Sequence, residues 1–185
     1  YNLPMIKLIK QGKDYEIYQS STIVKHKEKI VKVIDNVRPR LQEMFSNADT
    51  TKLYHLYNFF NLTSCDEHCY ELFTELKAVI RSYLKTDKPL WFQCWLNYHK
   101  ADEVLDWHNH TWDCHGYIAL YNTKNTKTEF KDYTIDNKDS QIYIGPGHRT
   151  HKVKVPKNFK GPRITLGFDI ITKPTPPANI SLIPF

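Results

Sequence analysis

Tyr143-Ile-Gly-Pro-Gly-His-Arg-Thr-His151-Lys-Val-Lys-Val-Pro156, followed by Gly161-Pro-Arg163-Ile-Thr165-Leu-Gly-Phe-Asp-Ile170, decides how the chain is read. A Gly-Pro-Gly turn delivers His151 onto a new strand, and a second turn opens a strand in which apolar residues alternate with others. In that second strand Ile164, Leu166, Phe168 and Ile170 share one face. Arg163, Thr165 and Gly167 share the opposite one, because successive side chains in a strand alternate. The apolar face is core. The other face carries a guanidinium able to grip a carboxylate in bidentate fashion, with the Thr165 hydroxyl as an added donor.

About forty residues upstream lies Trp107-His108-Asn109-His110. On an extended strand His108 and His110 project to the same side, so two imidazoles can reach one ion. With His151 they supply three nitrogen donors. Asp106 and Asp113 are the carboxylates near enough to stand in for His110; Asp106 precedes His108 and Asp113 lies five residues on, which does not suit a strand chelate, so both rank below His110 without being excluded. His115 and His148 lie close in sequence and are read as solvated or substrate-facing, not as ligands. Trp107 and Trp112 flank the pair, and packing is expected of at least one.

In this order of motifs the chain resembles the 2-oxoglutarate/Fe(II)-dependent oxygenases, over roughly its C-terminal half. The resemblance is nearest to a prolyl-hydroxylase-like His-x-His subgroup. It rests on Trp95-Leu-Asn97, His108-Asn-His110, Gly116-Tyr-Ile-Ala-Leu-Tyr121, Gly145-Pro146 through His151-Lys-Val153, and Arg163-Ile-Thr165. The resemblance implies His108, His110 and His151 as ligands of Fe(II), and Arg163 with Thr165 as the clamp on 2-oxoglutarate. It also implies Tyr98 as a partner of the far carboxylate, although Tyr98 shares its strand face with Phe92, Cys94 and Leu96, where a core tyrosine is expected equally. The activity implied is hydroxylation of a protein side chain or a small metabolite. One departure matters: the usual facial triad has two histidines and a carboxylate, and His110 occupies the carboxylate's place. Two alternatives therefore stay open, a three-histidine cupin-like dioxygenase that needs no 2-oxoglutarate, and a jelly-roll binding module without catalysis.

The remaining sequence bounds the architecture. With 185 residues, 41% of them hydrophobic, the chain suits one domain with a proper core. Residues 1–89 read as a mainly helical support, 90–172 as the strand-rich core and 173–185 as a proline-rich tail that is extended over Lys173–Pro177. Two short strands are expected within 4–19, a helix over 22–46 interrupted near Pro39, and a helix over 65–85 started by a Ser64–Glu67 capping box. Strands are expected at 90–98, 115–121, 127–133, 141–144, 150–155 and 163–171. Many short strands with Gly and Pro turns favour an α+β fold built on a double-stranded β-helix, or jelly roll, with helices covering one sheet.

Cys65-Asp-Glu-His68-Cys69 has the look of a zinc cluster, but no second ligand pair follows in the sequence and the segment reads as a helix start. Four irregularly spaced cysteines and the lack of a long apolar run fit a cytoplasmic protein. The net charge of +6 comes from lysines spread along the chain, which disfavours a nucleic-acid role and leaves the substrate open.

Overall fold

Strand β10 (Arg163–Ile171) is the spine of the protein, with all nine of its residues buried. It pairs antiparallel with β3 (Trp91–His99) on one side and with β5 (Cys114–Tyr121) on the other. The computed structural model describes residues 6–173 and 179–185. Beyond β5 come β8 (Gln141–Pro146), β2 (Glu16–Gln19) and β1 (Lys7–Gln11), and beyond β3 comes the short β11 (Ile183–Pro184). These seven strands form one antiparallel sheet in the order β1-β2-β8-β5-β10-β3-β11. A second sheet has the order β4-β9-β6-β7, from β4 (Val104–His108), β9 (His151–Lys154), β6 (Lys127–Phe130) and β7 (Thr134–Asp136).

The large sheet is covered on both faces, for different reasons. On one face Phe92, Cys94, Leu96, Ile164, Leu166, Phe168, Ile118 and Ile142 join a core with α1 (Ser21–Met44), α2 (Phe59–Leu62) and α3 (Glu67–Leu84). Burying each such side chain stabilises by about 1.5–3 kcal/mol, which is what fixes the strand register. On the other face Tyr15, Ile17, Tyr117, Ala119 and Tyr143 meet Phe130 and Ile135 of the small sheet. The two antiparallel sheets and their short connections fit the expected jelly roll, with the helices on the outside of one sheet.

The helices differ from expectation in their punctuation. α1 buries Ile23, Ile30, Ile34 and Leu41, spaced along one face, and runs unbroken through Pro39. Pro39 and Asp35, whose carbonyl loses its helical donor there, are both exposed, so that carbonyl lies on the solvent side of the helix, where the lost bond costs least. α3 starts at Asp66, not at a Ser64–Glu67 box: the Asp66 carboxylate accepts from the backbone N–H of His68 at 3.0 Å and Cys69 at 2.9 Å. An ionised cap beside the positive helix end outcompetes a hydroxyl two residues earlier. Inside the helical layer the fully buried Glu75 of α3 accepts from Ser20 Oγ, Ser21 N and Ser21 Oγ, which fastens the start of α1 to α3.

β4, β7 and β11 were not anticipated, and β6 ends at Phe130, short of residue 133. The expected extended tail at 173–177 falls largely on 174–178, outside the described residues. At the C-terminal end Ile183 pairs with Phe92, and the buried Phe185 ring stacks on Phe92 at 4.7 Å. Among the described residues no helix is long and apolar enough to cross a membrane.

Candidate metal centre

Strand alternation in β10 and β3 lays out the floor of a cavity of about 440 Å³ between the sheets. From β10 it receives Arg163, Thr165, Gly167 and Asp169, and from β3 Trp95, Asn97 and His99. The registers pair Arg163 with His99, Thr165 with Asn97 and Gly167 with Trp95, so the same face is built rung by rung. Gly167 is needed there because the Trp95 indole lies on it: a Cβ at Gly167 would come within 2.6 Å of the ring.

His108, at the end of β4, pairs in register with His151, at the start of β9. Their ring centroids are 4.3 Å apart. His110 lies past the end of β4, so simple strand alternation is not what brings it in. Its backbone N–H donates to Gly147 O at 2.9 Å, which folds the loop back and sets its ring 5.3 Å from His108 and 5.5 Å from His151. One ring nitrogen from each of the three lies within 4.8 Å of the others.

The outer nitrogen of each imidazole is occupied. His108 Nδ1 meets Asp106 O at 2.7 Å, His151 Nδ1 meets Arg149 O at 3.0 Å, and His110 Nδ1 meets Asp169 Oδ2 at 3.0 Å. Each acceptor fixes the proton on Nδ1 and leaves Nε2 as a lone-pair donor, the arrangement that orients histidines at metal ions. His110 Nε2 is buried with no hydrogen-bond partner among the described residues. A buried orphan nitrogen is costly unless something binds it. The residues present therefore fit a divalent transition metal held by three imidazoles.

Asp169 and His115 were not among the expected site residues. Asp169, fully buried on β10, accepts from both His110 and His115, the latter at 3.0 Å. Burial alone would raise its pKa, yet the two imidazoles beside it hold it below the usual carboxylate range. The His115 ring stacks on His110 at 3.7 Å, and the Trp95 ring lies beside both, 5.8 Å from His110 and 6.0 Å from His115. Thus the carboxylate missing from the ligand set is present one step behind it. Asp169 follows the Arg163–Thr165–Gly167 parity, and that alternation carried two residues further was the signal that could have found it.

Asp106 and Asp113 lie outside the three-histidine cluster. The exposed Asp106 carboxylate accepts from Trp107 N, and Asp113 accepts from Thr172 N at 2.8 Å. His148 is exposed in its turn. Trp107 also faces outward, with Lys131 Nζ 3.8 Å from its ring, whereas Trp112 lines the cavity.

Arg163 is 2% exposed and has no carboxylate within 4.0 Å among the described residues. Its Nε donates to Thr126 Oγ1 at 3.1 Å, and its Nη1 lies 3.3 Å from His99 Nδ1 and 3.4 Å from Thr165 Oγ1. Burial without an anion pulls its pKa down to about 10. Asn97 donates to Thr165 Oγ1 at 3.3 Å, and its own Oδ1 has no partner among the described residues. Tyr98, expected as a cosubstrate contact, is on the other face: its ring lies under the Arg38 guanidinium at 4.1 Å, among the helical-layer core. Its parity with Phe92, Cys94 and Leu96 decided the matter.

Burial favours the neutral form of His99, His108, His115 and His151, and a neutral imidazole is the form that binds metal. Desolvation, then the neighbouring His115, drives His151 to about 2; desolvation, then His110, drives His115 to about 4. Desolvation and then Arg163 take His99 to about 4, and desolvation also lowers His108. Each of these pKa values is below the unfolded value of about 6.5, so the unfolded chain binds more protons between them. The metal-free protein is expected to be fully stabilised above pH 6.5 and to weaken as pH falls toward 4. Each histidine contributes up to about 1.4 kcal/mol per pH unit. Urea midpoints at pH 7.5 and 5 test this, and equal values would mean that the imidazoles are not held neutral.

Asp169→Asn tests the inner carboxylate. An amide offers one acceptor oxygen where two imidazole N–H groups need one each. We expect metal affinity to fall about 10–100-fold and stability by about 1–3 kcal/mol. Metal titration and urea unfolding read the two effects, and unchanged affinity would remove Asp169 from the site.

A two-sheet antiparallel roll with a histidine cluster inside one end is the class of structure that fold and site define. By sequence, no family model and no curated protein matches the chain. By structure it is similar to AviO1 from Streptomyces viridochromogenes, with a TM-score of 0.60 and 10% identity, over 89% of this chain and 92% of that one. It is also similar to SnoN, a non-haem α-ketoglutarate-dependent epimerase of nogalamycin biosynthesis, with a TM-score of 0.51 and 11% identity, over 89% and 80%. A prolyl-4-hydroxylase from Pseudomonas putida overlaps less well, with a TM-score of 0.45 and 11% identity, over 58% and 67%. At these identities the likeness is one of fold.

Proposed function

We propose that the protein is an Fe(II)- and 2-oxoglutarate-dependent dioxygenase of the double-stranded β-helix type, acting on a protein side chain or a small metabolite and not on nucleic acid. The observation that carries the reading is the pairing of two unmet demands in one cavity. Three imidazoles present metal-ready Nε2 atoms, and Arg163 is a buried cation with no counter-ion among the described residues. A molecule that chelates a metal at one end and carries a carboxylate at the other answers both.

In this reading His108, His110 and His151 hold the ferrous ion through Nε2, and Asp169 fixes the His110 ring and offsets the charge that a third neutral ligand leaves uncompensated. The bound iron would supply the one-electron and dioxygen chemistry that no side chain provides. Arg163 binds the far carboxylate of the cosubstrate, with Thr165 and Asn97 directing its fork. Trp95, lying on Gly167, gives the cosubstrate a flat apolar floor and keeps water from beneath it. Thr51, Lys52, Tyr54 and Trp112 line the same cavity and are placed to meet a substrate.

Anaerobic titration of the Fe(II)-loaded protein with 2-oxoglutarate, monitored for the visible charge-transfer band of the chelate, tests the reading. A saturable band is expected. Iron binding without the band would favour a three-histidine dioxygenase in which Arg163 holds the substrate, a variant to which the all-imidazole ligand set gives weight. No iron binding would leave a binding module.

A further inference from the structure

The helical layer holds a second group of metal donors, on the opposite side of the large sheet from the cavity and sharing no residue with it. His26 lies in the second turn of α1, and His68 and Glu71 lie three residues apart at the start of α3. We propose that His26, His68 and Glu71 form a separate site for a zinc-class ion that ties α1 to α3.

The geometry points that way in three respects. The two imidazoles are stacked with centroids 4.4 Å apart and planes 18° from parallel, and one donor atom from each of the three residues lies within 4.8 Å of the other two. His26 Nε2 is 3.6 Å from Glu71 Oε2, too long for a hydrogen bond. It is close to the edge of a tetrahedron around zinc, about 3.3 Å for metal–ligand bonds of about 2.0–2.1 Å. Neither ring makes a hydrogen bond of normal length among the described residues; the other near carboxylate, Glu67 Oε1, stands 3.5 Å from His68 Nε2.

The chemistry of the donors selects the ion. Two imidazoles and one carboxylate suit Zn²⁺ and its borderline neighbours and do not suit Ca²⁺ or Mg²⁺, which take oxygen ligands. The side chains of His26, His68 and Glu71 are 26%, 12% and 42% exposed, so the ion enters from solvent and a water completes its shell. The cluster suggested by Cys65-Asp-Glu-His68-Cys69 does not form. Cys69 is buried in the core, and desolvation raises its thiol to about 12, which removes it as a thiolate ligand. Only His68 of that motif is used, and its partner comes from another helix, forty-two residues earlier in the sequence.

The test is equilibrium dialysis of the metal-stripped full chain against micromolar Zn²⁺, with zinc counted by atomic emission. Because the cavity site also takes zinc, the parent is expected to hold two equivalents. His26→Gln and His151→Ala should each hold one, and each should lose a different one. The equivalent lost in His26→Gln should bind on the order of 100-fold more weakly, and the zinc-dependent rise in Tm that it gives should vanish. A folded His26→Gln that holds as much zinc as the parent would overturn the proposal, as would a parent that holds a single equivalent removed by His151→Ala. Should His26→Gln fail to fold, Glu71→Gln on the exposed rim is read in the same way.

Discussion

His151→Ala is expected to abolish binding of Fe(II) in the cavity while leaving the protein folded. His151 opens β9, where its register with His108 on β4 and Phe130 on β6 holds it at the junction of three strands. Its Nδ1 is pinned to Arg149 O, so the ring has no freedom to point elsewhere, and deleting it removes a preset ligand. Loss of an outer partner alone costs about 10–100-fold in metal affinity, and loss of a ligand should cost more. The metal-free protein gives up one hydrogen bond and a buried ring, for a cost of about 1–3 kcal/mol. Iron analysis after dialysis, with circular dichroism as the check on folding, separates the two effects. His108→Ala should behave alike. Stoichiometric iron in either folded variant would show that the central cluster is not the metal site.

The ease of reading this site from the sequence varied with how local its causes are. Arg163 and Thr165 were legible because period-two alternation in one strand is a property of neighbouring residues, and the nine-residue strand was found with its observed ends. The same rule placed Tyr98 with Phe92, Cys94 and Leu96, and the structure sides with that parity over the role implied by resemblance. His108 and His110 come together as expected but by a different device, a loop closed by Gly147 O that no periodicity announces. Asp169 was the harder case. Its meaning depends on His110 and His115, which lie 59 and 54 residues away and meet it only once β5, β10 and the metal loop are assembled. His26 and His68 illustrate the same limit, since two helices must dock before their rings stack.

Arg163→Ala is expected to retain iron and lose 2-oxoglutarate. A bidentate guanidinium–carboxylate pair in a buried cavity is worth roughly two charge-assisted hydrogen bonds, about 3–5 kcal/mol together, so the Kd should rise about 10²–10⁴-fold. Its effect on the metal-free protein should run the other way. A buried cation whose pKa is pulled down to about 10 from 12.5 opposes folding at neutral pH by on the order of 3 kcal/mol. Removing it relieves that cost, although Thr126 Oγ1 and His99 Nδ1 each lose a neighbour. The variant should therefore melt no lower than the parent without ligands, and the rise in Tm that 2-oxoglutarate gives the iron-loaded parent should disappear. This combination distinguishes a ligand clamp from a structural arginine, whose removal would lower the melting temperature in both states. An Arg163→Ala protein that binds 2-oxoglutarate like the parent would show that the cavity's unpaired cation serves some other anion, and with it the substrate would take the place assigned to the cosubstrate.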